Sequence, residues 1–170
     1  FQSDDDIEQV DINSTISESL IIFEAAIKKA GIAIKTSLCH NRALVMGNRF
    51  KLEQVLFNLL SNAKDTISEK HQLTGISPDQ AIEVSSECRA ESVFIRIKDC
   101  GMGISAEVLD KIFDPFYTSK SPDKGTGLGL AISYGIINDM GGSIMVESEL
   151  GIGSTFVISL PLIRLELCIN

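Results

Sequence analysis

The sequence predicts an α/β (α+β) sandwich of two layers, with a mixed, mostly antiparallel sheet carrying helices on one face. Three observations carry this. Runs with helical period are interleaved with runs of period two, so the chain is neither all-helical nor all-β. The expected strands come as sequence-adjacent pairs with short polar turns, which favours antiparallel ladders over βαβ crossovers. No repeat and no linker divides the 170 residues, a length that suits one domain with a full core.

The elements follow in order. "FQS" at residues 1–3 reads as the remnant of an engineered protease site, and "DDDIEQ" as an acidic, solvated start. That leaves 4–170 as a single domain with its core at about 11–161. "INSTISESLIIFEAAIKKAG" predicts a first helix. Ile16, Leu20, Phe23, Ile27 and Ala30 share one face, Asn13 or Ser14 is its expected cap, and Gly31 stops it. "IAIKTSL" alternates as a strand, and "ALVMG" is expected to pair with it. A long helix runs from about Arg49 to about His71 on a stripe of Leu52, Val55, Leu56, Leu59, Leu60, Ala63 and Ile67. After a loop, "AIEVSSECRAESVFIRIKD" predicts an antiparallel hairpin. A short helix is expected over Ala106–Phe113, then a polar, mobile loop "DPFYTSKSPDKGTG". A helix from about Gly127 to Met140 and two final strands, "GSIMVESE" and "GSTFVISLP", complete the set.

Composition narrows the function. Formal net charge is −8, with 15 Lys and Arg against 23 Asp and Glu, which argues against a nucleic-acid surface. No apolar run reaches the ~18 residues of a membrane span. The four cysteines match no metal-binding spacing and read as reduced thiols in a cytosolic setting.

Three polar constellations remain. Asn58, Asn62 and Asp65 stand at i, i+4 and i+7 on one face of the long helix. Their oxygens suit a hard cation such as Mg²⁺, though read alone the line is equally a solvated helix face. "DCGMG" puts Asp99 at a strand end, with Gly101 and Gly103 clearing space for a flat ligand; alone it is also a plain tight turn. "GTGLG" opens a helix whose free N–H groups suit phosphate, and a loose hinge has the same composition. "GIGSTF" fits a hairpin turn.

Taken in order, "NLLSNAKD", "DCGMG", "FDPFYTSK", "GTGLGLAI" and "GIGSTF" resemble the N, G1, F, G2 and G3 boxes of the sensor histidine kinase ATP-binding domain. That superfamily is shared with DNA gyrase, the large heat-shock chaperone and the mismatch-repair ATPases. The resemblance covers about Asp11 to Pro161 and is strongest to the nitrogen-regulation and dicarboxylate-sensing kinases. It implies a Bergerat-type ATP-binding fold with ATP and Mg²⁺. It implies Asn62 as the Mg²⁺ ligand, with Asn58 supporting metal and phosphates and Asp65 near the nucleotide. Asp99 would read the adenine amine, with Gly101, Gly103 and Ile104 beside the base. Gly125, Thr126, Gly127, Leu128, Gly129 and Leu130 would cradle the triphosphate. Phe113, Phe116 and Tyr117 would anchor a lid, Lys120 or Lys124 would reach the γ-phosphate, and Thr155 would join the nucleotide contacts.

One position separates the chemistries. The superfamily's ATPases carry E-x-x-x-N, and this chain has Asn58 in the Glu slot. An amide is no general base. The resemblance therefore implies slow hydrolysis and phosphoryl transfer to histidine, with Asn58, Asn62 and Lys120 as the catalytic set. The competing readings are a water-splitting ATPase and a nucleotide-binding regulatory module. Neither His40 nor His71 is followed by an acidic residue, so the acceptor histidine is expected on a dimerisation hairpin outside this chain. The expected partners are that hairpin and a response regulator. A cytoplasmic domain with no membrane contact of its own is expected, and the apolar tail from 162 to 170 has no counterpart in the pattern.

Overall fold

The computed structural model describes residues 6–75, 80–118 and 126–163. Two strands and a helix open the fold: β1 (Glu8–Asp11), α1 (Ile12–Lys29) and β2 (Ala33–Ser37). Then come β3 (Leu44–Gly47), α2 (Arg49–Thr74), β4 (Ala81–Arg89) and β5 (Ser92–Asp99). A 3₁₀ turn at Leu109–Lys111 precedes α3 (Gly129–Asp139), β6 (Ser143–Glu149) and β7 (Gly153–Pro161). The main sheet has five strands in the order β2-β4-β5-β7-β6, with β2 parallel to β4 and every other pair antiparallel.

The two-layer arrangement follows from alternation along the strands. Ile82, Val84, Ile95, Ile97, Phe156 and Ile158 are buried and share one face, against the buried stripes of the helices. The other face is charged and solvated. There Lys98 pairs with Glu83 at 3.7 Å and Arg96 with Glu87 at 3.1 Å. Both Arg89 and Arg96 lie over the Phe94 ring, 5.9 and 5.8 Å from its centroid. Among the described residues no helix is long and apolar enough to cross a membrane.

Four expectations change. The start is not merely solvated: β1 pairs antiparallel with β3 as a separate two-stranded sheet, so the ordered fold extends ahead of residue 11. β3 consequently does not pair with β2, which lies on the sheet edge beside β4 instead. The cap of α1 is Asp11, whose carboxylate accepts from the Ser14 N–H at 3.2 Å, and Asn13 is already helical. The expected helix over Ala106–Phe113 is only the one 3₁₀ turn. The long helix, the β4–β5 hairpin and the last three elements stand where expected, with α2 reaching Thr74. α2 is capped by Asn48, whose side chain accepts from the Lys51 N–H at 2.9 Å.

Candidate nucleotide site

The site lies where α2 passes beneath two glycine-bearing turns. Its stripe of Leu52, Val55, Leu56, Leu59, Leu60, Ala63 and Ile67 is buried, which fixes the helix's rotation. That rotation sets Asn58, Asn62 and Asp65 together on a half-buried face. The Asn58 amide nitrogen donates to the Gly129 carbonyl at 3.1 Å and to the Ser133 hydroxyl at 3.2 Å. It thereby ties α2 to the first turn of α3 and leaves the amide oxygen as the acceptor at that spot. Asp65 has Lys64 beside it, 3.6 Å away.

Eight residues further along α2, or ~12 Å of helix rise, lies a second contact zone. The Thr66 hydroxyl accepts from the Met102 N–H at 2.9 Å. The Lys70 ammonium donates to the carbonyls of Cys100 (3.0 Å) and Gly151 (2.8 Å). One lysine thus clamps two turns that are remote in sequence. Between them is Asp99, at the end of β5 and only 5% exposed. Its Oδ1 accepts from the Gly101 N–H at 2.8 Å. Burial pushes its carboxyl up to about 6, against the backbone hydrogen bonds from Gly101 and Ser154 and the charge of Lys70, which all pull it down.

The glycines here have defined tasks. A side chain at Gly101 would overlap the Thr66 side chain, and Gly103, at φ +70°, lies against the Glu149 carbonyl. Next to it the Ile104 N–H donates to the Ser148 hydroxyl at 2.8 Å, and that hydroxyl also meets Ser154 Oγ at 2.9 Å.

At the other end, Gly127 has φ +68° and its carbonyl accepts from the Phe116 N–H at 2.8 Å. Helix α3 begins at Gly129 without a side-chain cap, so its first N–H groups keep their capacity for an anion. Leu128 and Leu130 are half-buried, Leu130 against the core, while Thr126 is exposed. Phe113 packs its ring on Tyr134, 5.6 Å between centroids, and Tyr117 leans on the core, whereas Phe116 is exposed with φ +67°. The expected lid, with Lys120, Lys124 and Gly125, lies outside the described residues, as does the tail from 164 onward.

The structure brings Asn58 to Gly129 and Asp99 to Gly101, with Ile104 tied to Ser148. It does not bring Thr155 to either group. Thr155 pairs with Lys98 and Glu147, whose side chains are on the charged face of the sheet. Its neighbour Ser154 pairs with Asp99 and Ser148 on the helix side. Sequence reasoning missed Ser154, Ser148, Thr66, Lys70 and Ser133. The strand alternation that placed Ile158 and Phe156 inward, counted back two more residues, reaches Ser154.

Residues 47–164 match the family described as histidine kinase-, DNA gyrase B-, and HSP90-like ATPase. Among curated relatives, the C4-dicarboxylate transport sensor protein DctB of Rhizobium meliloti is 44% identical over 75% of this chain. The sensor kinase CckA of Brucella abortus is 42% identical over 77%. The signal transduction histidine-protein kinase AtoS of Escherichia coli is 37% identical over 91%. The chain spans only 19%, 15% and 24% of those three proteins. Among solved structures, the catalytic domain of histidine kinase ThkA superposes with a TM-score of 0.78 at 30% identity, covering 92% of this chain and 96% of that one. By the match over residues 47–164 and these relatives, the chain belongs to the histidine kinase-, DNA gyrase B-, and HSP90-like ATPase family, as an ATP-binding catalytic domain of the sensor histidine kinase kind.

Proposed function

We propose that this domain passes the γ-phosphoryl group of ATP to a histidine on a dimerisation hairpin outside these residues, for onward transfer to a response regulator. The observation that carries the reading is Asn58. Its amide nitrogen is held by Gly129 and Ser133, at the spot where a hydrolase needs a carboxylate. An amide takes no proton, so nothing at position 58 deprotonates water. A neutral imidazole needs no such help. Its nitrogen lone pair forms the N–P bond while the bridging P–O bond breaks, and ADP leaves with that electron pair.

The remaining roles follow from place. Asp99, ionised, accepts a hydrogen bond from the adenine amine, with Gly101, Gly103 and Ile104 along the base. Ser154 takes the part expected of Thr155, because it is on Asp99's side of the sheet. The uncapped start of α3, from Thr126 to Leu130, receives phosphate oxygens. Gly125, Lys120 and Lys124 extend that end of the site.

The donor set fits Mg²⁺. Among the described residues no three His, Cys, Asp or Glu side chains gather into a cage. Asn58 and Asn62 offer neutral hard oxygens with Asp65 one turn on, a set that suits an ion sharing its coordination with phosphates. Asn62 would hold it and Asn58 would support it. When bound, the ion neutralises charge on the β- and γ-oxygens.

The test is label transfer from [γ-³²P]ATP (labelled on the terminal phosphorus) to the matched hairpin supplied in trans. Label is expected on the hairpin's histidine, acid-labile and base-stable. Asn62→Ala should lower transfer by about 100-fold or more. Vigorous ATP hydrolysis with no hairpin present would overturn the kinase reading in favour of an ATPase.

A further inference from the structure

Away from the nucleotide site, two thiols meet. Cys39, in the turn after β2, and Cys88, near the end of β4, have their sulfurs 3.2 Å apart, though 49 residues separate them. Each is half-buried, so the pair is neither sealed in the core nor fully open. A disulfide needs about 2.05 Å between sulfurs. Closing the gap takes a movement of roughly 1 Å, within reach of side-chain rotation.

The surroundings are polar and directed at Cys39. The Asn13 amide nitrogen, in the first turn of α1, donates to the Cys39 carbonyl at 2.8 Å and stands 3.6 Å from its sulfur. The Ser86 hydroxyl accepts from the Cys39 N–H at 2.9 Å and lies 3.5 Å from the same sulfur. Around the Cys39 sulfur stand the Asn13 amide nitrogen and the Cys88 thiol, with the Asn41 carbonyl at 3.4 Å and Asn13 Oδ1 at 3.8 Å as acceptors, while the Ser86 hydroxyl gives its proton to Asn13 Oδ1. Among the described residues, the Cys88 sulfur has Cys39 as its hydrogen-bonding neighbour. The asymmetry separates an attacking thiol from a resolving one.

We propose that Cys39 and Cys88 form a reversible redox site, in which a hydroperoxide oxidises the pair to a disulfide. The Cys39 thiolate attacks the terminal oxygen of the hydroperoxide. The O–O bond breaks, an alcohol or water leaves, and Cys39 becomes a sulfenic acid. The Cys88 sulfur gives up its proton and attacks the Cys39 sulfur, and the sulfenic hydroxyl departs as water. Two thiols lose two electrons and two protons, and the peroxide takes them. Burial alone would push the Cys39 thiol up, but hydrogen bonds with Ser86, Cys88 and Asn13 outweigh it and hold it below the usual thiol range. Burial, then the hydrogen bond and charge of Cys39, push Cys88 up to about 11. These directions agree with the assigned order of attack.

The disulfide would tie the β2–β3 turn to the central sheet beneath the start of α1, where Asn13 and Ser86 already join at 2.7 Å. The test uses the whole chain, reduced and then titrated with hydrogen peroxide, with thiols mapped by alkylation and peptide mass spectrometry. The Cys39 thiol should disappear about 10-fold faster than that of Cys100. The product should be a Cys39–Cys88 linked peptide about 2 Da lighter than the two thiol peptides, reversed by dithiothreitol. In Cys88→Ser, Cys39 should accumulate as a sulfenic acid trapped by a 1,3-diketone; in Cys39→Ser, Cys88 should stay unmodified. Equal rates for Cys39 and Cys100, a link from either residue to Cys100 or Cys168, or no trapped Cys39 in Cys88→Ser would each overturn the assignment. The wild-type mapping decides the matter even if a substituted chain folds poorly.

Discussion

At Asp99 a single proton links burial to the proposed adenine contact. Its carboxyl is raised by burial from an ordinary 3.8 to about 6, and the ionised form is the stronger acceptor for an adenine amine. Adenine nucleotide affinity should therefore fall about fourfold between pH 7.5 and 5.5, from the ionised fraction alone. Calorimetry across that range checks it, and Asp99→Asn should flatten the dependence as well as weaken binding. Stability of the ligand-free domain runs the other way. The folded state holds this proton more tightly than the unfolded chain does. The stabilisation is complete below about 3.8 and lost as pH rises through about 6, up to about 3 kcal/mol. Urea titrations of wild type and Asp99→Asn at pH 4.5 and 7.5 would show whether the wild-type loss is absent in the variant. Asp99 was legible in the sequence because a carboxylate at a strand end followed by two glycines is a local pattern. Ser154 was not, because a one-residue step along a strand moves a side chain to the other face. Asp11 stands two and three residues ahead of the expected caps Asn13 and Ser14: polar residues crowd there, and only geometry picks one.

Among the elements, α2 does most to hold the site together. Its polar face carries Asn58 at one contact zone and Thr66 and Lys70 at the other, so a residue outside every motif, Lys70, supports the Cys100 and Gly151 turns. In Lys70→Met the ammonium that pins Cys100 and Gly151 is gone, as is its pull on Asp99. The pH midpoint of nucleotide binding should move upward, and the melting temperature should fall by several degrees. Binding isotherms over pH, paired with thermal melts, measure both. At the start of α3, Gly127→Ala puts a side chain at φ +68° and against the Phe116 backbone; about 1–3 kcal/mol of stability should be lost, read from the urea midpoint. The long helix and the β4–β5 hairpin were readable because their periodicity is unbroken over many residues. The partners of β2 and β3 were not. Alternation announces a strand without naming its neighbour, and "IAIKTSL" beside "ALVMG" looks like a hairpin until α1 and the Asp11 cap carry β1 across to β3.

The main sheet has one oily face and one largely charged face, a division legible in the alternation of "VFIRIK". Ile95, at the centre of the middle strand and fully buried, anchors it; Ile95→Ala should cost about 2–5 kcal/mol, seen as a lowered urea midpoint with an unchanged slope. The family was legible because five motifs fall in order, and the candidate nucleotide site lies along α2, where Gly101, Gly103 and Gly127 allow close approach of neighbouring atoms. Its clamp, Lys70, and its serines were silent because ordinary residues acquire their role only from packing. The Phe116–Gly127 hydrogen bond has a consequence for how the domain can vary. A 2.8 Å bond joins Phe116 to Gly127, eleven residues later in the chain. The ring is already shut at its neck. Extra residues inserted between them meet only the slow logarithmic penalty of a larger ring, ~0.6 kcal/mol for each doubling of length. Descendants of this sequence are thus free to lengthen that stretch at little cost to the fold.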